Sequence, residues 1–252
     1  MKFFVLSAAA ACVVAIAAPA PAAPQQTFNR CAQCHFANLV DVPGAAHLSE
    51  WERSPHARQG VGCERCHGGD ATTVHPVEAH RGVLDSRNPA SPVNRVNLPE
   101  TCGTCHAAAL QAFRTSRHAA LLSHGDAGAP SCSTCHGAMT ARVPSPRVLE
   151  SQCARCHPPA TAGGGYARDA AALLTDVDQI DVDLAKADWL LAGVRDSARR
   201  ERLAQARVKA AAALTEVAGA VHAFDLALAT RRAEAARAQV NDLLRQLNPP
   251  QS

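Results

Sequence analysis

Apolar positions along the chain fall into three patterns. From Phe3 to Ala18 they run almost unbroken behind Lys2, and then give way to the small, proline-containing segment Ala20-Pro21-Ala22. A basic end, an apolar stretch and a small-residue site are the parts of a secretory signal, so residues 1–23 are expected to be an export signal cleaved near Ala23. Near the other end, Leu173, Val177, Ile180, Leu184 and Leu191 recur at approximately helical spacing. They predict a helix from near Tyr166 to Ala192 that stops at Gly193. Ser197 then offers a cap, and Leu203, Ala206, Ala210, Leu214, Val217, Val221, Phe224 and Leu228 form a second stripe at three- and four-residue steps. The C-terminal segment therefore reads as an α-helical hairpin with a buried face. Between these ends the pattern is broken, and the fold class expected is mainly α with much irregular structure. Outside the N-terminus no apolar run is long enough to span a bilayer, so no transmembrane domain is expected in the mature chain.

Composition changes the picture of the middle region. The chain of 252 residues holds 11 Cys and 12 His, but only 6 Phe, 2 Trp and 1 Tyr to fill cores. Something other than aromatic side chains must supply bulk there. The formal charge of +3 is small for this length and gives no sign of nucleic-acid binding. Cys12 lies in the signal and is expected to be lost with it. The other ten cysteines all belong to one motif, Cys-x-x-Cys-His, repeated as Cys31/Cys34/His35, Cys63/Cys66/His67, Cys102/Cys105/His106, Cys132/Cys135/His136 and Cys153/Cys156/His157. With this composition chance yields the motif about 0.02 times, so the repetition is a design.

The spacing has a chemical reason. Two thiols separated by two residues add to the two vinyl groups on one edge of a porphyrin, and the adjacent imidazole reaches the iron. The cofactor expected is haem c, five copies, covalently attached. Disulfides do not explain a histidine after every second cysteine, zinc ribbons do not combine five pairs two by two, and a thioredoxin-like pair occurs once per domain. Five macrocycles on so short a stretch must pack on one another and take over the apolar role of the missing aromatics. Their propionates, roughly −10 in total, are expected to make the loaded protein acidic.

Seven histidines lie outside the motifs: His47, His56, His75, His80, His118, His124 and His222. They are candidates for the second axial position of five irons. Trp51-x-x-Ser54-x-His56-Ala57 ahead of Cys63 and Phe113-x-x-Ser116-x-His118-Ala119 ahead of Cys132 read as an internal duplication, which singles out His56 and His118.

Ser-x-His-Ala ahead of a motif, Cys66-His67-Gly68-Gly69-Asp70 after one, and Ala79-His80-x-Gly82 beyond it resemble a known group of multihaem cytochromes. That group contains the tetrahaem cytochrome of ammonia oxidation, hydroxylamine oxidoreductase and pentahaem nitrite reductase. The likeness runs from about Phe28 to His157. It implies haems that mostly carry two histidines, stack in close pairs and pass electrons, with one five-coordinate haem in some members. It also implies that His80 is a distal ligand, with His75 as the alternative. At Cys135-His136-Gly137-Ala138-Met139, relatives often carry a histidine in the last position, so Met139 is either a thioether ligand or a side chain packed on a haem edge. Gly219-Ala220-Val221-His222 is similar to a helix break of the same group, which makes His222 a candidate ligand; otherwise it is a polar helix flank. Pentahaem nitrite reductases replace one motif histidine by lysine, whereas all five motifs here end in His. The single tyrosine, Tyr166, lies outside the haem region.

These readings lead to one expectation: a periplasmic pentahaem cytochrome with a haem region at 24–160 and a helical region at 161–252. It would transfer electrons to or from a redox partner protein, and the C-terminal helices are the candidate surface for homo-oligomers. The alternative is an oxidoreductase in which one five-coordinate haem acts on a small nitrogen or sulfur compound.

Overall fold

The structure, a computed structural model, describes residues 29–37, 46–160 and 165–248. The expected export signal and Cys12 lie outside the described residues. Among those described, every regular element is a helix, in agreement with the mainly α class expected.

Ten short helices come first: α1 (Arg30–Ala37), α2 (Ala46–Glu52), α3 (Pro55–Arg58), α4 (Glu64–His67), α5 (Pro76–Ala79), α6 (Leu98–Gly103), α7 (Ala107–Arg114), α8 (Arg117–Ser123), α9 (Cys132–His136) and α10 (Pro146–Ala154). None is long enough to be stable alone in water. Proline at the first turn starts α3, α5, α6 and α10, and turns and loops join them. The side-chain core of this region is thin: among the described residues its one cluster of buried residues is Phe113, Leu122 and Ala129.

Three long helices follow: α11 (Tyr166–Ala192), α12 (Ser197–His222) and α13 (Leu226–Leu247). Leu173, Ile180 and Leu184 of α11, Ala210 and Val217 of α12, and Ala229, Ala236 and Val240 of α13 form one buried cluster. Ala187, Leu203, Leu243 and Leu247 form a second at the other end. Alanine at four fully buried positions, Ala187, Ala210, Ala229 and Ala236, lets the helices approach closely. Across the bundle, Arg207 donates to Asp188 through Nε and Nη2 at 2.7 and 2.8 Å, and Arg237 donates to the Asp176 main-chain oxygen at 2.8 Å.

The bounds of α11 are those predicted, but two details of the C-terminal segment differ. The cap of α12 is Asp196, whose carboxylate accepts the Arg199 N–H at 2.6 Å; Ser197 is the first helical residue. The second stripe is also not one helix. Gly219 stays helical, and the chain breaks at Ala223-Phe224-Asp225, so the expected hairpin is a three-helix bundle. At the break the Phe224 N–H donates to the Val221 carbonyl and the Asp225 N–H to the Ala220 carbonyl, while Phe224 takes φ +57°. This is a Schellman turn with phenylalanine where glycine is the usual residue. Asp225 then caps α13, accepting the Leu228 N–H at 2.9 Å. The bundle also meets the short helices, α11 against α10 and α12 against α7.

Candidate haem centres

The duplicated Ser-x-His-Ala segment is a helix start. Ser54 and Ser116 both adopt extended backbone angles, are buried, and accept the N–H of the alanine three residues on, Ala57 and Ala119, at 3.1 and 3.0 Å. Serine satisfies a donor that the first turn leaves unpaired, and the histidine two residues later is fixed on that turn. After the motifs, Gly68 and Gly137 take φ +75° and +77°, which turns the chain away directly behind His67 and His136.

Four motif histidines face a second imidazole. Ring centroids lie 5.9 Å apart for His35 and His80, 6.0 Å for His106 and His56, 6.1 Å for His157 and His118, and 6.1 Å for His136 and His222. The two duplicated segments behave alike. Each skips the motif that follows it and turns its histidine toward the next one: His56 toward His106 and His118 toward His157. Of the alternatives at the second motif's tail, His80 and not His75 is the one opposite a motif histidine. Opposite His136 stands His222, the last residue of α12.

Hydrogen bonds orient several of these rings. His80, His136 and His222 each donate Nδ1–H to a main-chain carbonyl, of Pro76, Arg142 and Ala218, at 2.8, 2.8 and 2.7 Å. That fixes the tautomer and leaves Nε2 as the ligating atom. In His118 the buried Nδ1 has no hydrogen-bond partner. Its ring is met edge-on by Phe224, at 4.2 Å between centroids and 81° between planes. Burial, and next the neighbouring imidazole, lowers the pKa of His35, His56 and His118 and favours the neutral, ligating form.

His67 differs. It too has its pKa lowered by burial and by His35, but among the described residues no second imidazole ring faces it. Of the unassigned histidines, His47 lies 3.3 Å from a Glu50 oxygen, His75 precedes α5, and His124 donates Nδ1–H to the Ala120 carbonyl at 2.6 Å.

The cysteines follow chain order. Partial burial, reinforced by Cys31, pushes the Cys63 thiol up to about 11. Cys66 is raised by burial and by Cys102 and Cys105, and Cys135 by burial and by Cys153. A hydrogen bond between the Cys102 and Cys132 sulfurs raises the first thiol and lowers the second. Each motif therefore adjoins the next. Asn29 also ties the first motif to the second, donating to Glu64 at 2.7 Å.

The motif treats its two thiols alike in every copy, but the fold does not. Cys34, Cys105 and Cys156, the second thiols of the first, third and fifth motifs, are exposed, whereas the other seven motif cysteines are partly buried. The neighbours of each sulfur mark the difference. Cys34 stands in the last turn of α1, and Cys105 and Cys156 lie in the turns just beyond α6 and α10, where the chain leaves the helix. Cys66 and Cys135, by contrast, lie within α4 and α9, where the next motif packs over them. The backbone at the exposed positions is nonetheless fixed. The Cys156 N–H donates to the Cys153 carbonyl at 3.2 Å and the His157 N–H to the same carbonyl at 2.8 Å, and Cys105 and His106 repeat the arrangement on Cys102 at 3.2 and 2.9 Å.

These arrangements fit haem c. Two imidazoles bound on opposite sides of one metal ion, with bonds of about 2.0 Å, place their centroids roughly 6.3 Å apart. The observed separations of 5.9 to 6.1 Å fall a few tenths of an ångström short of that distance. A cleft of about 800 Å³ lined by Tyr166, Phe224, Asp225 and Leu226 opens beside the His118–His157 pair. Its walls touch the pair, since Tyr166 lies 6.2 Å from His157, ring to ring. Among the described residues no three of His, Cys, Asp or Glu converge as they would on a bare metal ion. Paired imidazole rings, and not a cage of three or more donors, are what the fold assembles among the described residues.

Known proteins give the same class. Residues 10–68 match the family described as cytochrome c554 and c-prime. The chain is 30% identical over 112 residues to the C-type polyheme cytochrome OmcC of Geobacter sulfurreducens, covering 42% of this chain and 14% of that protein. It is 30% identical over 123 residues to the C-type polyheme cytochrome OmcB of the same species, covering 46% of this chain and 15% of that protein. The chain thus spans about a seventh of the length of these relatives. No solved structure matches it. Together the likenesses support a multihaem c-type cytochrome with covalently bound haem c.

Proposed function

We propose that the protein is an exported pentahaem cytochrome c that relays electrons between redox partner proteins. The observation that carries this reading is the facing of four motif histidines by second imidazoles, His80, His56, His118 and His222. When bound, each haem c supplies an iron that takes up and releases one electron. The chain's own residues do the rest. The ten cysteines anchor the porphyrins, the motif histidines hold the proximal side, and the paired imidazoles close the distal side and exclude other ligands. Motifs that adjoin in chain order support a continuous run of cofactors. Main-chain carbonyls behind His80, His136 and His222 raise the basicity of those ligands and favour ferric iron. A haem region at 24–160, a helical region at 161–252 and export to the periplasm behind residues 1–23 complete the proposal. No helix among the described residues is long and apolar enough to cross a membrane.

A second reading rests on His67, which no imidazole faces. A haem held there with an open distal side makes the protein an oxidoreductase for a small nitrogen or sulfur compound. One experiment separates the two. Haem content by pyridine haemochrome and intact mass should give five haems per chain, with four low-spin haems in the ferric protein. Carbon monoxide binding at one haem, together with turnover of nitrite, hydroxylamine or sulfite, favours the oxidoreductase. The same stoichiometry without turnover favours the relay, and fewer than five haems on matured protein overturns both.

A further inference from the structure

We propose that Phe224 is a positioning residue for the haem held by His157, acting through the ring of His118. The proposal rests on the reading that His118 and His157 flank one iron, and it goes beyond that reading in assigning what holds the distal ligand in place.

Three observations meet at this residue. First, Phe224 occupies the left-handed position of the Schellman turn between α12 and α13, at φ +57°. Glycine is the residue that adopts this conformation without strain, so a bulky aromatic there is costly to the backbone. Second, its ring does not enter the bundle core: Phe224 is 43% exposed and leaves the three-helix bundle toward α7 and α8. There it meets His118 edge to face at 4.2 Å and Phe113 at 6.3 Å. Third, His118 lacks the hydrogen bond that orients His80 and His222. His80 and His222 donate Nδ1–H to a carbonyl of their own helix, but the buried Nδ1 of His118 has no such partner. The rotation of that imidazole is therefore set by packing, and the ring against it is Phe224. The strain at Phe224 is matched by a job that glycine cannot do.

The turn thus serves two neighbouring centres. His222, on its helical side, faces His136, and Phe224, two residues later, holds the ring facing His157. Because the orientation of axial imidazole planes governs the electronic structure of low-spin iron, freeing His118 changes the spectrum of one haem and not of the others.

The test uses the full, haem-loaded protein with Phe224→Gly, Phe224→Leu and Phe224→Tyr, and His118→Met as reference. Phe224→Gly suits the turn, so helix content by circular dichroism should equal that of the parent protein. Low-temperature electron paramagnetic resonance should show that Phe224→Gly and Phe224→Leu shift or broaden the low-spin signal that His118→Met removes, while Phe224→Tyr keeps it. If Phe224→Gly fails to fold, the contrast between Leu and Tyr decides alone. Parent-like spectra for Phe224→Gly and Phe224→Leu, with the signal removed by His118→Met, overturn the positioning role. If His118→Met leaves every signal in place, the pairing of His118 with His157 is wrong, and the proposal falls with it.

Discussion

His222, the last residue of α12, faces His136, the last residue of α9, with ring planes 10° apart and centroids 6.1 Å apart. The two come from different parts of the chain. What joins them is the helix break, which ends α12 beside the fourth motif, and the Nδ1–H bond from His222 to Ala218, which aims its other nitrogen outward. The C-terminal bundle is therefore part of the candidate haem apparatus and not a detached support.

His222→Ala should open the haem on His136. The expected result is one further haem per chain that binds carbon monoxide, with loss of one low-spin signal. His222 sits at a helix end and outside the buried core, so unfolding by urea should change little. If Met139 moves in to replace it, the haem stays six-coordinate but its potential rises, which spectropotentiometry detects.

The duplicated caps give a second prediction. Ser54→Ala and Ser116→Ala each remove the acceptor for one first-turn N–H, at a cost of about 1 kcal/mol. The two caps share no partner, so the double variant should lose about 2 kcal/mol in urea titrations. Each single variant should also loosen its own histidine, broadening the signal of the haem on His106 or on His157.

How far the sequence carries can be seen at particular residues. The bounds of α11 were legible because Leu173, Ile180 and Leu184 mark a face and Gly193 ends it. The break before α13 was not, because Phe224 stands where glycine would have announced it. Ser-x-His-Ala read as a duplicated segment carrying a histidine, and the two copies start helices with the same cap because capping is local. That His56 looks to His106 and not to the adjoining His67 depends on how short helices pack, and no local spacing encodes it. The same holds for His67, whose lack of a facing ring emerges only when the other histidines have been placed. Nor does the motif distinguish the exposed Cys34, Cys105 and Cys156 from the partly buried Cys66 and Cys135, since the latter are covered by cysteines of the next motif, which only the packing brings there.

Packing of the bundle supplies a third prediction. Ile180 is fully buried between α12 and α13, so Ile180→Ala should cost about 2–5 kcal/mol through lost burial and the cavity left behind. At Ala236, also fully buried, leucine should cost about 1–3 kcal/mol because the helices must separate to admit it. Trp189 is 77% exposed, and its replacement by alanine should leave stability within about 0.5 kcal/mol of the parent. Urea unfolding of the three variants checks the ranking.

The Asp188–Arg207 pair predicts an acid dependence. The two-point hydrogen bond from Arg207, and then its charge, holds the Asp188 carboxyl below its ordinary pKa. A carboxyl whose pKa is depressed on folding stabilises the fold fully above the unfolded value, about 3.9, and loses that contribution as pH falls through the lower, folded value. The side chains are 33% and 47% exposed, so solvent screens the pair and its contribution should be about 0.5 kcal/mol. Asp188→Asn should therefore be less stable than the parent by that amount at pH 7, with the gap narrowing below pH ~4. Added salt should narrow it at pH 7 as well. Parallel urea titrations at pH 7, 5 and 3 read the gap directly, and a gap that stays constant across them would locate the effect in packing and not in charge.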